Sequence, residues 1–173
     1  MKKGNTLAAG LSFQKRRKEV LDPYYVSGFA DGEASFSVTV SPRSNISTGW
    51  EVRPSFSISQ NKASRDVLFK IKDFFGCGSI RPSKKDNTYK YEVRSLKELE
   101  ERIIPHFEKY PLHTAKKKDF LIFKEIIHLM RKGQHLSKKG LKDIFFLLER
   151  LNPSSRRVYD RKKLIGEISE GIV

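Results

Sequence analysis

The sequence has almost no cysteine and no long hydrophobic run. Cys77 is the only cysteine among 173 residues, which excludes an intrachain disulfide and a cysteine-rich zinc module. Charged residues interrupt every apolar stretch, so no segment is long enough to span a bilayer. Residues 1–20 are basic but lack the apolar block of a secretory signal; they are typical of a flexible arm or of a weak organelle transit segment. We therefore expect an intracellular protein with no membrane partner, in bacterial or archaeal cytoplasm, a mitochondrion or a plastid.

Negative charge is also scarce. The chain has 35 Lys and Arg against 20 Asp and Glu, which gives a formal net charge of +15. Such an excess favours binding to a polyanion but carries no information about the fold. The length suits one domain with a single core. Together these totals indicate a nucleic-acid-binding domain, a class that also includes ribosomal and chromatin proteins.

The first half of the chain predicts a helix followed by two strands. Asp22 and Pro23 are a helix N-cap and a first helical residue, and the helix extends to about Gly32. From Ser35 onward, apolar residues alternate with polar ones, which indicates a strand. After a polar loop, residues 51–60 show the same alternation and predict a second strand.

The second half predicts a further helix, two strands and three more helices. Residues 65–75 have amphipathic spacing and precede Gly76, a typical helix end. Two strands joined by the basic turn at residues 84–87 follow. The spacing of Ser95 and Glu98 is that of a capping box, which predicts a short helix that ends near Pro105. Two long helices are expected over about 115–132 and 137–151.

These elements predict an α+β domain. Four strands with one polar, basic face and helices on the other leave an open sheet surface. We divide the chain into a basic flexible arm at residues 1–21, a domain at 22–152 and a basic tail at 153–173. The four histidines have no metal-ligand spacing with one another or with Cys77, so we expect structural or surface roles for them.

Small side chains recur in the stretch "VSGFADGEA", residues 26–34. Gly28 and Gly32 share one helix face, and a stripe without side chains lets another backbone approach closely. The chain has one such helix, so the natural partner is a second copy related by a two-fold axis. Two Glu33 carboxylates would then converge, which is unfavourable unless cations lie between them. Because oxygen ligands suit Mg²⁺, the stretch predicts a dimer contact that also assembles a metal site.

The same stretch resembles the signature of the LAGLIDADG homing endonucleases. The residues that fit it are Val26, Gly28, Phe29, Asp31, Gly32 and Glu33. The resemblance implies that the first five of these lie at the dimer interface. The αββαββα order that follows is similar to the family core, and residues 103–126 are similar to a later family segment. The resemblance covers roughly residues 22–152. It implies a LAGLIDADG core with a four-stranded antiparallel DNA-binding sheet, plus C-terminal helices.

The resemblance also implies roles for individual residues. Glu33 would be the metal-binding catalytic acid, and the main-chain carbonyl of Gly32 would be a further metal ligand. Gln60, at the end of the second strand, would support the active site. Lys116, or its neighbour Lys117, would lie near the scissile phosphate. The implied metal is Mg²⁺, for which Ca²⁺ or Mn²⁺ can substitute.

Two positions near the end of the motif raise structural questions. The resemblance implies that Asp31 caps the partner helix rather than taking part in the chemistry. Ala34 stands where the signature usually has glycine. If the backbone there needs a positive φ, alanine costs about 1 kcal/mol or more. Otherwise Ala34 is a harmless small residue before the strand.

The polar face of the sheet is the predicted contact surface for double-stranded DNA, because a twisted β-ribbon fits the major groove. Alternation along the strands assigns these residues to that face: Ser37, Thr39, Ser41, Arg43, Arg53, Ser55, Ser57, Arg81, Ser83, Lys90, Glu92 and Arg94.

The predicted function is site-specific cleavage of DNA by an intron-encoded homodimer. Each subunit would cut one strand of a long pseudo-palindromic site in a metal-dependent reaction that leaves 3′ overhangs. The alternative is an RNA-binding intron maturase that binds its own intron RNA, without or in addition to cleavage. A maturase without cleavage activity is expected to have a degraded motif acid, whereas Glu33 is intact.

Overall fold

The computed structural model describes residues 20–151. Except for residues 20 and 21, the predicted N-terminal arm lies outside this range, as do residue 152 and the predicted tail. The elements in chain order are α1 (Pro23–Glu33), β1 (Ala34–Pro42), β2 (Trp50–Asn61), α2 (Asp66–Phe75), β3 (Ser79–Ser83), β4 (Thr88–Val93), α3 (Leu96–Glu98), α4 (Ile104–Lys109), α5 (Lys116–Arg131) and α6 (Lys138–Arg150). The predicted α+β order is confirmed.

The four strands form one antiparallel sheet in the order β1-β2-β4-β3. Its apolar face carries aromatic side chains that pack against the helices, and these make the centre of the core. Phe36 and Phe56 are at most 1% exposed. The ring of Phe36 lies 5.5 Å from that of Phe107 in α4 and 5.4 Å from that of Phe123 in α5. Because the helices cover this face only, the opposite polar face stays open.

Helix α1 begins and ends where local signals predict. The Asp22 carboxylate accepts hydrogen bonds from the amides of Tyr24 and Tyr25, at 2.8 and 3.1 Å. The helix runs directly into β1 because Ala34 is extended, with φ −79° and ψ 161°. A positive φ is therefore not required at Ala34, and the alanine introduces no backbone strain there.

The predicted end of a helix near Pro105 is wrong. Ser95 caps α3 as expected, but the helical path continues through a π-helical segment, Leu99–Ile103, into α4 and ends at Lys109. Pro105 occupies the first turn of α4, where a residue without an amide hydrogen is tolerated. The wider π turn just before it therefore lets the chain stay helical through the proline.

A buried hydrogen-bond chain joins α1 to the end of α4. The hydroxyl of Ser27 donates to the carbonyl oxygen of Tyr110 at 2.8 Å. Its oxygen also lies 3.1 Å from Nε2 of His106, and because the one hydroxyl hydrogen is already used, Nε2–H is the donor. Burial lowers the pKa of His106 to about 4, so the ring is neutral at neutral pH. His106 is thus structural, as expected for the histidines.

Acidification should weaken this link through His106. The pKa of the ring is 6.5 in the unfolded chain and about 4 in the folded one. The stabilisation is therefore complete above the higher value and is lost as the pH falls through both. We expect the free energy of unfolding to fall by on the order of 2 kcal/mol between neutral pH and about pH 4.5.

Urea unfolding across this pH range would measure the loss. The variant His106→Gln should show a smaller pH dependence than the native chain, while His128→Gln, at an exposed position, should keep the native dependence. Equal pH dependence in all three proteins would contradict the assignment.

Candidate functional site

The junction of α1 and β1 presents an acidic residue with no partner within the described residues. Glu33 is the last residue of α1 and is exposed. Within residues 20–151, its carboxylate forms no hydrogen bond or ion pair. The carbonyl of Gly32 belongs to the last helical turn, whose carbonyls lack intrahelical amide partners. Carboxylate and carbonyl oxygens are thus available side by side at the end of this helix.

Asp31 connects the end of α1 to the start of α5. Its carboxylate accepts hydrogen bonds from the amide of His113 at 2.9 Å and from the amide and hydroxyl of Thr114 at 3.1 and 2.6 Å. The Thr114 hydroxyl oxygen in turn accepts from the amide of Lys116 at 3.2 Å. Burial raises the pKa of Asp31, but these hydrogen bonds outweigh it and the net pKa is lowered. The expectation that Asp31 caps a partner helix is corrected, because its oxygens bind its own chain.

The side chains of the two candidate lysines, Lys116 and Lys117, lie in different places. The Nζ atom of Lys116 donates a hydrogen bond to the carbonyl oxygen of Ala34, one residue from Glu33. Lys117 instead lines a groove beside Leu121 and Arg150. Of the two alternatives, Lys116 is therefore the one that reaches the α1–β1 junction.

Gln60 lies at the same end of the sheet. Ala34 pairs with Ile58, so Gln60 extends two residues past the start of β1, towards the end of α1. It is half-buried, and its side-chain amide makes no hydrogen bond within residues 20–151. The fold thus brings the three residues predicted to be catalytic, Glu33, Gln60 and Lys116, to one end of the sheet.

The glycine stripe of α1 faces open space. Gly28 and Gly32 are exposed, and a Cβ atom at either position would meet nothing within 4 Å. Phe29 is half-buried, and its ring stacks on that of Tyr25 with centroids 6.1 Å apart. Sequence reasoning missed Tyr25, although it precedes Gly28 by three residues and so shares its face.

Val26 does not belong to this exposed stripe. It was predicted at the dimer interface, but its side chain is 0% exposed and packs in the core of its own chain. The reason is helical geometry: Val26 and Ala30 lie on the inward face, roughly opposite the glycines. The prediction for Val26 is therefore wrong, and its fit to the motif reflects core packing.

The polar face of the sheet is exposed as predicted at most positions. The residues that are exposed or half-buried are Ser37, Thr39, Ser41, Arg43, Arg53, Arg81, Ser83, Lys90 and Arg94. Ser55, Ser57 and Glu92 are 8, 6 and 6% exposed, so the prediction of exposure is wrong for these three. They lie on the two central strands, β2 and β4, where side chains of neighbouring positions on both sides cover them.

Two carboxylates organise the cations of this face. Glu51, which sequence reasoning overlooked although it alternates in phase with Arg53, accepts a hydrogen bond from Nη1 of Arg43 at 2.7 Å and lies 3.8 Å from Nε of Arg53. Glu92 is bound by Lys90 and Arg94, each at 3.0 Å. Burial by itself raises the pKa of Glu92. Hydrogen bonds from Lys90 and Ser55 and the charges of Lys90 and Arg94 outweigh this effect, so the net pKa is lowered.

Sequence and structure comparisons identify similar proteins. A family model described as LAGLIDADG endonuclease matches residues 26–127. The "Probable intron-encoded endonuclease 2" of Neurospora crassa is 38% identical over 125 residues, which are 72% of this chain and 28% of that protein. The chain thus spans about a quarter of the length of this curated relative.

Two solved structures share the fold. The homing endonuclease I-TnaI has a TM-score of 0.76 and 35% identity, and the match covers 90% of this chain and 100% of that one. I-SmaMI bound to uncleaved DNA target in the presence of calcium ions has a TM-score of 0.79 and 36% identity. That match covers 85% of this chain and 49% of I-SmaMI.

Replacement of Asp31 by alanine should loosen the connection between α1 and α5. The loss of hydrogen bonds to a charged acceptor typically lowers the free energy of unfolding by about 1.5–3 kcal/mol. Hydrogen exchange of the His113 and Thr114 amides should accelerate in Asp31→Ala, and denaturant unfolding would measure the stability change. Asp143→Ala, at an exposed position in α6, is the control. Unchanged exchange at both amides would show that Asp31 does not hold this turn.

Proposed function

The chain belongs to the LAGLIDADG endonuclease family, and from this membership we propose that it is an intron-encoded homing endonuclease. It acts as a metal-dependent homodimer that makes a double-strand break with 3′ overhangs in a long pseudo-palindromic DNA site. The observation that carries the proposal is the glycine stripe of α1, which is open along its length and ends at Glu33, beside the Lys116 side chain.

The open stripe supports the homodimer. A glycine inside a helix is less favourable than alanine by about 1 kcal/mol, and nothing within residues 20–151 requires glycine at residues 28 and 32. Close approach of a second backbone supplies the reason. The match to I-SmaMI covers 49% of that molecule, so two copies of this chain correspond to its length. In the dimer, the interface consists of Gly28, Phe29 and Gly32, to which we add Tyr25.

The available ligands support a metal site shared between the two copies. Among residues 20–151, no three His, Cys, Asp or Glu side chains lie close enough together to hold a metal ion. One chain offers the Glu33 carboxylate and the Gly32 carbonyl; a dimer doubles this all-oxygen set, which suits Mg²⁺, with Ca²⁺ or Mn²⁺ as substitutes. When bound, the metal supplies a water of lowered pKa and neutralises charge on the phosphate.

The chain's own residues complete the reaction centre. The ammonium group of Lys116 lies against the Ala34 carbonyl, from which it can turn to stabilise charge on a phosphate at Glu33. Gln60 has a free amide that orients a water molecule. Asp31 keeps Lys116 in place through Thr114, because the start of α5 depends on that hydrogen-bond chain.

The partner is double-stranded DNA, bound on the polar face of the sheet. A two-fold dimer places two such sheets on half-sites about one helical turn apart. The bases would be contacted by the exposed members of the predicted set, and Ser55, Ser57 and Glu92 would act from beneath. None of the helices in residues 20–151 has the length and hydrophobicity of a bilayer span. Binding of intron RNA and the cellular compartment stay predictions.

Removal of the Glu33 charge should abolish cleavage but not binding. Glu33→Gln keeps the size of the side chain, and the residue has no partner within residues 20–151, so folding should be unaffected. We would select cleaved sites from a randomised pseudo-palindromic DNA library in Mg²⁺ and measure the cleavage rate of the enriched site. A fall of at least about 100-fold is expected for loss of a metal-binding catalytic carboxylate.

Glu101→Gln is the matched control, because Glu101 is an exposed acid far along the chain from the motif. It should cut at the native rate. Cleavage by Glu33→Gln at the native rate would refute the assigned role. Binding without cleavage by the native protein would favour the maturase alternative.

Leucine at residue 28 should block assembly without harming the fold. A Cβ atom at this position meets nothing within 4 Å among residues 20–151, and leucine is a better helix former than glycine by about 1 kcal/mol. Gly28→Leu should therefore sediment as a folded monomer. Asp143→Leu adds leucine to an exposed site of α6 and should remain dimeric. A dimeric Gly28→Leu protein would refute the close-packed helix pair.

A further inference from the structure

We propose that Glu92 is a positioning residue for base recognition, which presents the guanidinium of Arg94 to one base pair in each half-site. The inference rests on the proposed function, because it requires the sheet to bind DNA. Arg94 is the specificity-determining side chain; Glu92 acts through it. A carboxylate in the middle of a surface that binds a polyanion repels phosphate. A role in positioning Arg94 explains why Glu92 is nevertheless present there.

Glu92 is too deeply covered to contact DNA itself. The residue is 6% exposed and lies between Ser57 on β2 and Ser79 on β3 in the strand register. Its Oε1 atom accepts hydrogen bonds from Nζ of Lys90 at 3.0 Å and from the hydroxyl of Ser55 at 3.0 Å. Its hydrogen-bonding capacity is therefore directed to neighbouring side chains of the sheet.

Arg94 is bound to Glu92 along one side of its guanidinium only. Its Nε lies 3.0 Å from Oε2 and its Nη2 lies 3.2 Å from Oε1. This leaves the outer edge, formed by Nη1 and the second Nη2 hydrogen, free to donate. The Arg94 side chain is 57% exposed, so this edge is open to solvent. Two parallel donors at such an edge match O6 and N7 of guanine in the major groove.

The backbone beneath this pair is also fixed. Gly78 has a φ of +76°, and a Cβ atom there would lie 2.8 Å from the main-chain oxygen of Glu92. The glycine thus lets β4 pack closely at Glu92. Beside it, a cleft of about 230 Å³ is bordered by Ser79, Arg81 and Arg94, which leaves room for a base edge to approach the guanidinium.

The charges of the cluster of Lys90, Glu92 and Arg94 favour recognition of a base over simple attraction to phosphates. One carboxylate with two cations leaves a net positive charge, so the cluster still attracts DNA. The carboxylate holds the arginine in one orientation before binding, which reduces the conformational freedom lost on contact. Removal of the negative charge should therefore release Arg94 to reach phosphates more freely while it reads its base less well.

The test measures base preference at every position of the selected site for the native protein, Glu92→Gln and Arg94→Lys. Glu92→Gln keeps the side-chain shape, and we expect about tenfold weaker discrimination at one base pair per half-site. Other positions should keep their preference, and affinity for unrelated DNA should be equal or higher. Arg94→Lys keeps the charge but loses the two parallel donors of the guanidinium, so discrimination at the same base pair should weaken. Because Arg94 is half-exposed, this variant tests the proposal even if Glu92→Gln fails to fold.

The control is Glu108→Gln, which breaks an ion pair with Lys124 in the helical layer and should change no base preference. A uniform loss of affinity in Glu92→Gln without a change at any single position would overturn the inference, as would an Arg94→Lys profile identical to the native one. Failure of the native protein to bind any DNA sequence preferentially would instead overturn the proposed function itself, and the inference with it.

Discussion

The hydrogen bonds between the Asp31 carboxylate and residues 113–114 are the interaction on which the arrangement of the site depends. Asp31 lies near the end of α1 and its partners immediately precede α5, so one side chain joins segments 82 residues or more apart. This connection fixes Lys116 beside the α1–β1 junction. Ser27 fixes the middle of α1 through Tyr110. With the helix held at these two points, its exposed glycine face has one orientation relative to the sheet.

The same helix shows a conflict between the stability of one chain and the proposed assembly of two. Its inward face, with Val26 and Ala30, is fully buried, while the outward face has glycines that no neighbour within residues 20–151 requires. Helix propensity alone would favour larger residues there. A surface that sacrifices local stability in this way is typical of a contact that brings two backbones together. In the proposed dimer, Glu33 at the end of this helix, which has no partner within residues 20–151, would lie near its symmetry mate.

The polar sheet face is more structured than an array of solvated cations. Arg43 and Arg53 share Glu51, and Lys90 and Arg94 share Glu92. Within residues 20–151, Arg81 forms no ion pair. Cations fixed by carboxylates contribute direction as well as charge, whereas unpaired ones mainly attract the backbone of a polyanion. The balance between the two kinds sets how much of the binding depends on sequence.

The sequence by itself determined the order of the elements and most of their ends. Capping by Asp22, the helix stop at Gly76 and the alternation of β1 and β2 are local signals, formed by residues within a few positions of each other. The motif likewise located Glu33. The tertiary structure alone decided the partner of Asp31, the burial of Val26, Ser55 and Glu92, the choice of Lys116 over Lys117 and the continuation through Pro105. Each of these depends on strand register or on which helices pack together. Such contacts join residues that are far apart along the chain, and their spacing in the sequence does not indicate their distance in space.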